Sequence, residues 1–97
     1  EIALNELEYQ RNKVSLEIEN LLYELNQYFR QIRHFRNNAL PQAETLLHTA
    51  LIQLNTEEID YTQYLQSISL AIQIKTEYYK VIHDYNQTAI QLEIYGN

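Results

Sequence analysis

From Leu4 to Ala39, apolar residues recur at alternating steps of three and four. Leu4, Leu7, Val14, Ile18, Leu21, Leu25, Tyr28, Ile32, Phe35 and Ala39 form one line, and only Arg11 interrupts it. Such steps keep side chains on one face of a helix, and a sustained seven-residue repeat is the seam of a coiled coil. Strand alternation fits nowhere in this stretch. The line changes phase at Asn37-Asn38-Ala39-Leu40-Pro41. Beyond it, Leu40, Ala43, Leu47, Ala50 and Leu54 continue one residue out of step. Pro41 lacks a backbone donor and its ring clashes with the preceding turn. Either the helix kinks there and continues, or a new helix starts with Pro41 at its first position. A kinked helix whose phase change is local unwinding accounts for both features.

The next break is Leu54-Asn55-Thr56-Glu57-Glu58. Asn tolerates the left-handed conformation that ends many helices. Thr56 is a good N-cap, and Glu57, Glu58 and Asp60 would place negative charge at the positive end of a new helix. This is the one reversal the pattern offers. The last segment carries two apolar stripes on adjacent faces. Tyr61, Leu65, Ile68, Ile72, Tyr79, Ile82 and Ala89 form one, and Leu70, Ile74, Tyr78, Val81 and Tyr85 the other. A helix with a single partner needs one stripe, so two stripes imply neighbours on two sides.

The predicted fold is therefore all-α: a long, coiled-coil-like antiparallel helical hairpin, kinked or broken near Pro41. Its first helix spans about 2–54 with the kink at 37–41, its turn 54–57, and its last helix about 57–95. A helix of about 38 residues is roughly 57 Å long. Two such rods enclose no interior, and chains of 97 residues bury comparatively little surface. Self-association is expected, to cover the second stripe.

Composition sharpens this picture. One Gly, Gly96, and one Pro leave no means for the many turns of a β domain. The absence of Cys excludes disulfides and thiol chemistry. No apolar run approaches the roughly 20 residues that span a bilayer. No signal peptide is visible at Glu1, so any targeting segment is expected outside this sequence. A net charge of -6 argues against general nucleic-acid binding, which relies on Lys and Arg. Nine Tyr and no Trp suit half-wet surfaces, with the ring packed and the hydroxyl in water.

Candidate chemistry is sparse. Arg30, Arg33, His34 and Arg36 could hold an anion or an acidic partner, but a solvated helix face is the plainer account. His34, His48 and His83 are scattered. Glu44 and His48 could share a face, but no second His joins them, so no metal site is assigned. There is no Gly-rich phosphate loop, no HExxH and no nucleophile elbow. Ser15, Ser67 and Ser69 have no evident base. No catalytic residue and no cofactor are assigned. The tyrosines around Tyr78, Tyr79 and Tyr85 could form a ligand groove, but packing is the simpler use. The tip, Leu54 to Glu58, is either a plain turn or a docking site at the end of a rod.

One family fits the order of features. A long helix is followed by Leu40-Pro41-Gln42-Ala43-Glu44 and the turn at Asn55. Then come Ile59-Asp60-Tyr61, Tyr64-Leu65, Glu77-Tyr78-Tyr79, Asp84-Tyr85-Asn86, and a closing Leu92-Glu93 with Gly96. This resembles the last helical hairpin of TolC-like outer-membrane efflux proteins, most of all their heavy-metal cation branch. The resemblance implies homotrimers with a barrel in the outer membrane and a helical tunnel in the periplasm. It implies hairpin tips that meet a periplasmic adaptor, and through it an inner-membrane pump. Leu54, Asn55, Thr56, Glu57 and Glu58 match that tip. The family often places Gly where this chain has Asn55, which puts a close backbone approach by an adaptor in doubt. Barrel strands are absent, and some relatives carry such a region fused behind the pump. The expected role is a periplasmic duct wall with an adaptor-docking tip, and no catalysis. The alternative is a coiled-coil interaction or spacer module without a transport role.

Overall fold

A computed structural model describes residues 2–96. Helix α1 spans Ile2–His34, a π-helical segment follows at Phe35–Ala39, α2 spans Leu40–Asn55, and α3 spans Tyr61–Gly96. α3 returns antiparallel along α1 and α2 in a rod of 80 × 21 × 16 Å. The molecule is the long helical hairpin that the seam predicts.

The phase change and the π segment are two views of one event. Seam positions Leu21, Tyr28 and Phe35 repeat every seven residues, whereas the next two, Ala43 and Ala50, lie one residue late. A π turn holds one residue more than an α turn and so absorbs the surplus without rotating the seam. The Leu40 N–H bonds the Phe35 carbonyl, an i to i−5 bond, and both flanking residues remain right-handed helical. The helix therefore continues through the π segment rather than breaking. Pro41 sits at the start of α2, directly after the widened turn, where its missing donor and bulky ring are accommodated.

Burial is thin, as two rods demand. Among the described residues, Ile32, Ala43, Ala50, Ala71 and Thr88 are buried. On α3 the side chains turned to α1 and α2 recur every seven: Tyr64, Ala71, Tyr78, Tyr85 and Leu92. Most of one predicted stripe, Ile74, Tyr78, Val81 and Tyr85, is half-buried in this seam, while its Leu70 is exposed. Toward the tip the most buried positions are alanines, Ala43 and Ala50 on α2 and Ala71 on α3, and small side chains let helices approach. Farther down, aromatic rings fill the gap. Phe35 and Tyr78 lie 5.8 Å apart between centroids, and the Arg36 Nε–H donates to the Tyr78 hydroxyl at 2.8 Å.

Three cross-helix contacts mark the register. Lys75 reaches Glu44 at 3.2 Å, Phe35 meets Tyr78, and the Tyr95 hydroxyl donates to Glu17. The hydrogen bond to Glu17 is the main reason the Tyr95 pKa stands above its ordinary 10.0, because only the protonated phenol can donate; lost hydration and the carboxylate's charge act in the same direction. Glu17 is opposite the last turns of α3. The fourteen residues from Ala3 to Leu16 thus extend beyond α3, and every one is exposed.

Candidate functional site

The tip is built from two helix ends that satisfy themselves. α2 runs through Asn55, and Thr56 is its C-cap. The Glu57 N–H bonds the Leu54 carbonyl at 3.1 Å, and the Glu58 N–H bonds the Gln53 carbonyl at 2.8 Å. That pair of bonds defines a Schellman ending, which requires a left-handed residue between cap and exit. Glu57 supplies it, at φ 62°. Thr56 adds its hydroxyl to the closing turn, donating to the Ile52 and Gln53 carbonyls at 3.0 and 3.3 Å.

The local assignments expected from sequence are corrected here. Asn55 is helical, and Glu57 takes the left-handed position expected of Asn55. Thr56 closes α2 rather than opening α3. α3 begins at Tyr61, four residues later than expected, so the reversal occupies 56–60. Glu57 and Glu58 consequently lie in the loop, before the first turn of α3.

Asp60 is the true N-cap. Its Oδ1 accepts from the Gln63 N–H at 2.8 Å, and Gln63 Oε1 accepts from the Asp60 N–H at 3.0 Å. This reciprocal pair is a capping box. Its signature, an acid followed three residues later by Gln, is legible in Asp60-Tyr61-Thr62-Gln63. Ile59 and Tyr64 take the positions of a hydrophobic staple, and both are half-buried.

Of the five tip residues, Leu54 is half-buried while Asn55, Thr56, Glu57 and Glu58 are exposed. The loop presents three carboxylates, Glu57, Glu58 and Asp60, and the sequence holds no Lys or Arg between Arg36 and Lys75. A partner that docked here would gain from a basic surface.

The second surface is lateral. Tyr61, Leu65, Ile72 and Tyr79 share one face of α3, with Ile90 eleven residues on, next to the seam. Their exposures, 64, 45, 57, 66 and 50 %, leave much of each side chain open, whereas Ile68, Ile82 and Ala89, expected in the same stripe, are half-buried. On α1, Tyr9, Leu16 and Tyr23 form a further exposed line at seven-residue spacing. It is hard to detect in the sequence because it carries only one apolar side chain per two turns.

The other candidates separate in space. Arg30, Arg33 and His34 are exposed, and Arg36 alone turns across to Tyr78. His34 Nδ1 lies 3.3 Å from Asn38 Nδ2 at the π segment. Glu44 and His48 line one open groove with Leu47, Leu51, Tyr64 and Ile68, while His83 is exposed on α3. Among the described residues no group of three or more His, Asp or Glu gathers as a metal site would require. Tyr78 and Tyr85 are half-buried at the seam, and Tyr79 is exposed with its ring centroid 5.6 Å from that of Tyr78. Among the described residues no helix is long and apolar enough to cross a membrane.

No family model, no curated protein and no solved structure matches this chain.

Proposed function

We propose that this hairpin is a wall segment of a helical duct: the periplasmic hairpin of a TolC-like outer-membrane efflux component of the heavy-metal cation branch. In this reading Leu54, Asn55, Thr56, Glu57 and Glu58 form the tip that docks a periplasmic adaptor, and the chain acts without catalysis or cofactor. The observation that carries it is the uncovered stripe of α3. A hairpin that served only as a spacer would need one seam, whereas a stave in a closed ring needs apolar neighbours on two sides. Tyr61, Leu65, Ile72 and Tyr79 supply the second side. The tip adds exposed, rigidly capped polar side chains at the end of an 80 Å rod. Opening of such a duct would proceed by small shifts of packed helices.

The test is to replace Asn55 through Glu58 with alanine in a full-length protein that contains the hairpin, and to measure adaptor association and cation efflux. Loss of both in a normally assembled protein is expected. Retention of both would remove the docking role and leave the coiled-coil spacer as the better account.

A further inference from the structure

The lateral stripe of α3 reads almost the same in both directions. Tyr61, Leu65, Ile68, Ile72, Lys75 and Tyr79 follow one another at steps of four, three, four, three and four, centred on residue 70. Reversed, the order is Tyr, Lys, Ile, Ile, Leu, Tyr, so only Leu65 and Lys75 exchange character. Ile68 also lines the groove that α3 forms with Leu47 and Leu51 of α2, which makes stripe and groove one surface. We infer that a second copy of this chain covers that surface, the two α3 helices pairing antiparallel about a two-fold axis beside residue 70.

Two features select this occupant and its direction. The first is the pattern. Aligned antiparallel, Tyr61 of one copy meets Tyr79 of the other, and Ile68 meets Ile72. Leu65 lies along the methylene stem of Lys75, whose ammonium stays with Glu44. The two-fold axis makes each of these contacts twice. The second feature is charge. The tip carries Glu57, Glu58 and Asp60, and Lys80 stands at the far end of the stripe beside Tyr79. Among the described residues none of these four joins an ion pair within the chain. Asp60 lies ten residues before the axis and Lys80 ten after it, so antiparallel pairing brings each acidic tip to the other copy's Lys80. Pairing with the tips together would set acidic tip on acidic tip and Lys80 on Lys80. The contact spans about 27 Å of helix in each copy, at the lower end of interface sizes, so the dimer is reversible.

The pairing does not rest on the duct reading. A ring neighbour would take the same stripe with its tip pointing the same way, so the two-fold pair is a form of the free hairpin. Sedimentation velocity and small-angle X-ray scattering would follow the 97-residue chain over a concentration series. With the axis about 18 Å from the tip, two rods of 80 Å form a dimer about 120 Å long, whereas a tips-together pair stays near 80 Å. The chain has no Cys, so Gln87→Cys accepts a single nitroxide label. Two labels lie about 50 Å apart in the two-fold pair and within about 20 Å in a tips-together pair. Ile72→Asp should weaken the dimer at least about tenfold with the monomer's helicity unchanged, and Leu70→Asp, on another exposed face of α3, should leave it intact. Lys80→Glu should weaken it too, and adding Glu58→Lys should restore much of the loss. A monomer at all concentrations up to about 1 mM would overturn the proposal, since even weak specific pairing registers there. So would a dimer indifferent to Ile72→Asp. A pair near 80 Å long with its labels close would overturn it as well, while leaving the duct reading standing.

Discussion

Glu57 should be a poor choice for its own position, and replacing it with glycine should stabilise the hairpin. Its φ of 62° lies in the left-handed region, where a Cβ crowds the following carbonyl. That conformation costs an L-residue about 1–2 kcal/mol, and glycine escapes it. Glycine also loosens the unfolded chain, which offsets about 0.4–1 kcal/mol. The net expectation for Glu57→Gly is a gain of about 0.5–1 kcal/mol, or a rise of about 2–8 °C in Tm for a domain of this size. Both Schellman bonds are made by backbone atoms and survive the change. Thermal melts followed by circular dichroism would measure it, at one fixed concentration because association shifts Tm. Removing Glu57 also relieves repulsion from Glu58 and Asp60, so Glu57→Ala is the control. Alanine removes the charge and keeps the strain. If Glu57→Ala stabilises as much as Glu57→Gly, the backbone argument fails and the effect is electrostatic. A gain that vanishes at high salt would likewise point to charge rather than strain.

Two further expectations concern the helix ends and the π segment. Asp60→Ala should destabilise the hairpin by about 1 kcal/mol, and Asp60→Ser should restore most of the loss, because Ser can accept the same Gln63 N–H; urea titrations would show whether the two variants differ. Deleting Asn37 together with Pro41→Ala should convert the π turn to a regular helix with its seam still in line, leaving the melt cooperative. Deleting Glu24 instead should rotate the seam below it by about 100° and lower stability by more than about 2 kcal/mol.

Much of the architecture follows from periodicity. The α1 seam and its one-residue slip before Pro41 are patterns along the chain, and each maps onto one structural feature; the two stripes of α3 are redivided, since Ile68, Ile82 and Ala89 of the first are half-buried and Leu70 of the second is exposed. The π segment in particular is the geometric form of that slip. The tip is less legible because residue preferences taken one at a time do not decide it. Asn55 and Thr56 favour a helix end and a helix start, but the observed boundary is the one that satisfies the last carbonyls of α2 and the first amides of α3 together. The Schellman bonds to Gln53 and Leu54 and the Asp60–Gln63 box do this, and Glu57 is left to absorb the strain. Only the capping box has a signature in the residues themselves.

The sequence by itself therefore determined a helical hairpin, its reversal and the presence of more apolar surface than one seam can use, because helical periodicity is a property of neighbours three and four apart. It did not determine which face of α3 turns inward. That depends on packing between residues far apart in sequence, marked by Glu44–Lys75, Phe35–Tyr78 and Glu17–Tyr95 across separations of 31 to 78 residues.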